Sequence, residues 1–235
     1  MKDFAVNLIR LLLSFIILLF SEEYFYKFLS LFKINISKTF TSIILYVLIS
    51  FFIYLIYKPE LKSEFKKFKR KFMSNMVYAF IAFLIIFVTM LVFNYILSVI
   101  AKSFYINYNG ISFYNIFNKP FNLDLILEFL KNIILIPYLK VTIFDLGVNR
   151  LFSYSGSIFA SGLAAALYNA YLIKGSIGYM IVNSSLTFIL FMLLALIYRK
   201  NNNIVTSIVT YSIYILLASV LYSNIMWGIY ERKVN

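Results

Sequence analysis

Between Lys38 and Lys58 the chain runs through nineteen consecutive residues, TFTSIILYVLISFFIYLIY, without a charged side chain, and between Lys71 and Lys102 through thirty more. At the helical rise of about 1.5 Å per residue, nineteen residues reach roughly 28 Å, close to the thickness of a bilayer's hydrocarbon core. Lipid offers no partner to a backbone N–H or C=O, so runs of this length must form helices that satisfy their own polar groups. The chain is therefore predicted to be an all-α, polytopic transmembrane helical bundle. Composition points the same way. Of the 235 residues 63% are hydrophobic and 13% charged, with a mean hydropathy of +0.88, more apolar side chain than a soluble domain of this size can bury.

The cost of a charge in hydrocarbon locates the other spans. The first runs from about Phe4 to Phe20, where Arg10 must snorkel; lacking a small-residue cleavage site, it is read as a retained anchor. Thr39–Tyr57 and a stretch within Phe72–Ala101 follow. The fourth segment, Phe121–Arg150, is mixed: Asp124, Glu128, Lys131, Lys140, Asp145 and Arg150 sit among strong apolar residues. Asp124, Glu128 and Lys131 share a helical face and are placed to pair, and Pro137 is expected to kink or divide the helix. Ser155–Ile173, Ser176–Tyr198 and Ile204 to about Gly228 complete a count of seven, or six or eight if the fourth is re-entrant or split.

Orientation is read from the stretch Lys58–Lys71 (KPELKSEFKKFKRK), which holds seven basic and two acidic residues and belongs on the cytoplasmic side. The N-terminus is then cytoplasmic, and thirteen Lys and Arg fall inside against eight outside. The expected location is a bacterial plasma membrane. The net charge of +13 is accounted for by this topogenic role and by the Lys, Asn, Ile, Phe and Tyr bias of an AT-rich genome. No DNA-reading module is visible, and no nucleic-acid partner is expected. Leu61, Phe65 and Phe68 interleave with the lysines, so the stretch reads either as a plain topogenic signal or as an amphipathic helix on anionic lipid. Ser103–Asn118, rich in Tyr, Phe and Asn, reads as an interfacial aromatic anchor.

Cysteine and histidine are both absent, which removes disulfides, thiol nucleophiles and every imidazole base or ligand. Phosphate-loop and dinucleotide signatures are missing as well; no metal or cofactor is expected. The fifth span is dense in small residues. Gly156/Ala160, Ser157/Ser161 and Gly162/Ala166 form small-xxx-small pairs that let a neighbouring helix approach closely. Asp145, Asn149, Arg150, Asn169, Asn183, Ser184, Ser185, Thr187, Thr206, Ser207, Thr210 and Tyr211 supply polar groups at depth. They either converge on one interior cavity or hold the bundle together by interhelical hydrogen bonds. Asp145 with Arg150 is the functional candidate, since ionisable groups in a membrane span are functional by default.

From Pro137 to Ile215 the chain resembles the CAAX-protease and bacteriocin-processing family of intramembrane proteases, also called Abi or CPBP. That family carries a proline-led E-E-x-x-x-R motif, then F-x-x-x-H on the next helix, then a late H-x-x-x-N/D after a short basic turn. Here Asp145-Leu146-Gly147-Val148-Asn149-Arg150 follows Pro137, Ala165-Ala166-Leu167-Tyr168-Asn169 takes the second place, and the turn Tyr198-Arg199-Lys200 leads to Tyr211 and Ile215 in the third. In the family the glutamates are held to activate water and the histidines to bind metal or stabilise the oxyanion. Leu146, Asn169 and Tyr211 cannot do this. The resemblance thus implies a degenerate member, with residues 119–228 as its core, residues 1–118 supplying the N-terminal spans and basic loop, and Asp145, Asn149, Arg150, Asn169 and Tyr211 lining a vestigial or binding cavity.

The expected function is that of a non-catalytic scaffold or binder, its partners being membrane lipid and another membrane protein or a hydrophobic peptide. Enlarging Gly162 or Ala166 is expected to cost it that partner. A transporter or channel subunit, with the kinked fourth helix and Asp145–Arg150 along a solute path, is the alternative. An active protease using the carboxylates and Tyr211 ranks last, since serine chemistry lacks a general base.

Overall fold

The structure, a computed structural model, describes residues 2–31, 37–106, 122–173 and 175–218. Among these, every regular element is helical: α1 (Lys2–Leu31), α2 (Lys38–Ile56), α3 (Lys58–Arg70), α4 (Phe72–Ser103), α5 (Leu123–Leu130), α6 (Ile136–Val141), α7 (Tyr154–Leu172), α8 (Ile177–Asn201) and α9 (Ile204–Ala218). Helix ends follow local chemistry. Ser37 caps α2 by accepting from the Phe40 N–H at 3.2 Å, and Ser176 caps α8 by accepting from Tyr179 at 3.3 Å. Three asparagines make the turn between α8 and α9. Asn201 Nδ2 donates to the Thr206 hydroxyl, Asn202 takes the left-handed φ of 49° that ends α8, and Asn203 Oδ1 accepts from the Thr206 N–H.

Among the described residues four helices are long and apolar enough to cross a membrane: Asp3–Phe20 within α1, and α2, α4 and α8. The other three expected spans do not meet that measure there. The fourth segment is broken into short pieces, α7 is diluted by small and polar residues, and α9 is described only to Ala218. The remainder of the expected last span, the boundary at residue 118 and most of Ser103–Asn118 lie outside the described residues.

The fourth segment divides, one of the two outcomes expected of Pro137: α5 and α6 are separated by a π-helical turn at Lys131–Leu135, and a second π-turn, which the sequence did not signal, follows at Thr142–Gly147. Pro137 falls in the first turn of α6, where its missing N–H matters least. The widened turn ahead of it, in which the Ile136 N–H reaches back to the Lys131 carbonyl, absorbs the ring that an α-helix would reject. This split helix runs parallel to α2 along its whole length: Lys131 Nζ meets the Ser42 hydroxyl at 3.3 Å near the start of both, and Gly147 lies against Tyr57 at their ends. Lys131 turns to Ser42 and the ring of Tyr46, while Asp124 is exposed.

One apolar core joins residues from Leu11 to Ala218. Its centre is an aromatic ladder, with Phe144 against Phe15, Tyr168 and Phe191 at centroid distances of 5.5, 5.7 and 5.2 Å, and Phe191 against Tyr211 at 5.6 Å. Around it α7 and α8 form the most extensive helix pair, α4 covers α8, and α1 covers the second π-turn. The outer faces of α1 and α4 carry Phe, Leu, Ile and Val in the open, as lipid-facing helices do.

Basic residues gather at one end of this bundle. Arg10 does not simply snorkel; it bonds Glu60 at 2.9 Å. The α3 helix lies across the same end, and its Glu64, 6% exposed, accepts from the Ile204 N–H at 3.2 Å and from Lys67 at 2.8 Å. The Glu64 carbonyl receives Asn203 Nδ2 at 2.9 Å. A buried carboxylate of the basic loop therefore helps to cap α9. Lys140 is placed elsewhere, over the Tyr168 ring at 5.8 Å.

Candidate functional site

Asp145 lies in the second π-turn, 1% exposed. Its Oδ1 accepts a short hydrogen bond from the Ser161 hydroxyl, and its Oδ2 is buried without a hydrogen-bond partner among the described residues. Phe144 and Leu146 on either side of it are fully buried. Ser161 belongs to the buried face of α7, which presents Ser157, Ser161, Gly162, Ala165 and Tyr168. The small-residue stripe thus positions the one partner of the carboxylate.

The other site candidates occupy separate contacts. Arg150 is exposed at the end of the split helix and forms no ion pair with Asp145 among the described residues. Asn149 is half-buried, its Oδ1 without a hydrogen-bond partner among the described residues. Asn169 lies eight residues beyond Ser161, about 12 Å along α7, and donates to the Asn183 carbonyl at 3.5 Å and the Ser184 hydroxyl at 3.4 Å. Tyr211 faces inward onto Phe191. Asp145, Asn169 and Tyr211 all face the interior, yet no hydrogen bond joins any two of them. Thr206, Ser207 and Thr210 are likewise used in helix contacts, Ser207 with the Leu194 carbonyl at 3.2 Å and Thr210 with the Thr206 carbonyl at 2.8 Å.

Two residues that sequence reasoning did not single out organise the basic end. One is Glu64, described above. The other is Arg199, whose Nε and Nη2 reach the Ser157 hydroxyl at 2.9 and 2.7 Å. Its Nη2 also meets the carbonyls of Phe152 and Ser153 at 3.1 and 3.3 Å, and its guanidinium stacks over the Tyr154 ring. The planar fork of an arginine suits such a turn.

Among the described residues Ser161 is the hydrogen-bond partner of the Asp145 carboxylate, and no group of three or more Asp or Glu side chains is placed to hold a metal. The larger space lies elsewhere. A cleft of about 790 Å³ opens between α3, the split helix and α9, lined by apolar side chains including Phe65, Ile133, Ile134, Ile208 and Val209, with lysines at its rim.

Removing the Ser161 hydroxyl leaves Asp145 with no hydrogen-bond partner among the described residues. Ser161→Ala is expected to destabilise the bundle by about 1–3 kcal/mol, the usual cost of stranding a buried polar group. Asp145→Asn keeps an acceptor for Ser161 and should cost less. The monodisperse fraction after heating in detergent checks the order; equal tolerance of both would remove any structural role for the pair.

No protein family matches the sequence, and neither the curated proteins nor the solved structures contain a match to it.

Proposed function

We propose that the chain is a non-catalytic integral membrane protein with a degenerate CPBP-like core, and that it binds an amphiphilic or hydrophobic companion. What carries the reading is the distribution of polar groups and free volume. Asp145 Oδ1 is held by Ser161 and Asn169 by α8, while the room for a guest is an apolar cleft away from them. A catalytic base needs a proton to take and a substrate within reach; a binder needs an apolar surface with a few fixed polar groups.

Arg10, the α3 lysines, Arg150, Arg199 and Lys200 cluster at one end of the bundle, which supports placing that end and the N-terminus on the cytoplasmic side of a bacterial plasma membrane. Mild extraction followed by mass spectrometry of the purified chain is expected to recover a lipid, peptide or membrane protein in stoichiometric amount. A chain that emerges bare and cleaves a reporter peptide in reconstituted membranes would overturn the reading.

A further inference from the structure

On α3, Lys62, Lys66 and Lys69 stand at i, i+4 and i+7 and so share one face. All three are exposed and all three line the cleft. None has an ion-pair or hydrogen-bond partner among the described residues, whereas the acids of the same helix are engaged elsewhere, Glu60 with Arg10 and Glu64 with Lys67 and Ile204. Three cations on one rim with no internal counter-charge make a site for an anion. Below them the lining is apolar: Ile133, Leu135, Val205, Ile208 and Val209. Ser212 lies seven residues past Val205 on α9, so the cleft extends roughly 10 Å from the rim. Among these walls Tyr138 contributes a hydroxyl that is buried without a hydrogen-bond partner among the described residues. Phe65 and Ile134, 60% and 53% exposed, leave the mouth open to the surroundings.

We infer that this cleft binds a single anionic phospholipid drawn from the bilayer. The phosphate lies among Lys62, Lys66 and Lys69, and an acyl chain is laid between the split helix and α9. The inference rests on the binder reading above and names its ligand class. Charge complementarity selects this occupant. A neutral lipid or a plain hydrophobic helix leaves the three lysines uncompensated, and the stretches of chain outside the described residues contain one acid, Glu231, beside Arg232 and Lys233. Lysines at this position also lie where anionic leaflets attract basic helices.

The test titrates the purified full-length chain, in neutral detergent, with phosphatidylglycerol or phosphatidylcholine and reads adducts by native mass spectrometry. One phosphatidylglycerol per chain is expected, with at least a tenfold preference over phosphatidylcholine. Lys62→Gln, Lys66→Gln and Lys69→Gln together should abolish the preference. Lys58→Gln, Arg70→Gln and Lys71→Gln remove the same charge from the same end, away from the cleft, and should retain it. Val209→Trp, filling the walls, or Ile134→Trp at the open mouth should abolish the adduct while the chain stays monodisperse.

Equal loss in both triple variants, or full binding in both tryptophan variants, overturns the site. So does displacement of the lipid by millimolar inorganic phosphate, which would mark a free-anion site, or a second copy of the chain in place of lipid. A neutral lipid or peptide bound instead would sink the phospholipid assignment and leave the binder reading standing. Cleavage of a reporter peptide by the phosphatidylglycerol-loaded chain would do the reverse.

Discussion

Replacing Gly162 by leucine is expected to push α7 away from α8 and to lower the stability of the bundle markedly. A Cβ at this position would sit 2.7 Å from the Phe188 carbonyl oxygen and 2.5 Å from Met192 Cγ. The methionine is flexible and can withdraw; the carbonyl belongs to the backbone of α8 and cannot move without moving the helix. Overpacking a tight contact costs about 1–3 kcal/mol, and leucine should lie at the top of that range. Gly162→Ala should be intermediate. Ala166→Leu, at a half-buried position, serves as the tolerant control. Fluorescence-detected size exclusion after graded heating reads all three. A leucine variant that stays monodisperse at wild-type temperatures would mean that the close approach is not needed. The stripe of small residues had suggested that enlarging Gly162 would expel a partner; in the structure Gly162 faces α8 of its own chain, so this substitution reports on the bundle itself.

What was legible in the sequence and what was not divide along a physical line. Charge-free runs placed α2, α4 and α8 to within a few residues because a hydrocarbon solvent punishes every charge along the run, a signal that is local and strong. The buried face of α7 was legible in part: Ser157, Ser161 and Gly162 are buried, whereas Gly156, Ala160 and Ala166 are half-buried. Asp145 and Arg150 looked like a pair in the linear motif. Asp145 is held inside the second π-turn, whereas Arg150 falls in the turn that follows the helix and emerges exposed. The two π-turns left no trace beyond Pro137, because an i→i−5 bond depends on how the ring is accommodated by neighbours. Glu64 was hidden by its surroundings: in a stretch dominated by lysines it read as part of a topogenic signal. Its partner, the Ile204 N–H, is 140 residues away, and only the packing of α3 across the ends of α8 and α9 brings them together.

Arg199 was hidden in the same way, and its removal is the other change expected to have a large effect. The α7 helix begins at Tyr154 without a side-chain cap of its own, and the connection from the split helix turns sharply through Arg150–Ser153. Arg199, on the last turn of α8, cannot cap those N–H groups, but it ties the connection down by donating to the oxygens around it. Two of its nitrogens converge on the Ser157 hydroxyl, which in turn donates to the Tyr154 carbonyl at 3.0 Å. The Phe152 and Ser153 carbonyls complete the set. Hydrogen bonds from a charged donor contribute about 1.5–3 kcal/mol, and the contacts to Phe152 and Ser153, being solvent-exposed, count for less. Arg199→Ala should therefore cost about 2–3 kcal/mol in total, reading the bond to the buried Ser157 as the dominant contribution. Arg199→Lys separates geometry from charge. The ammonium retains the cation near the C-terminus of α8, where the helix dipole favours it, but cannot place two parallel donors on one hydroxyl while reaching the carbonyls behind it. It should recover part of the loss only. Limited proteolysis gives a local readout that bulk stability would miss: cleavage should rise within residues 149–153 in Arg199→Ala and rise less in Arg199→Lys. If lysine restores full protection, charge alone suffices and the fork is irrelevant. If neither variant opens the turn, the connection between the split helix and α7 is held by something other than Arg199.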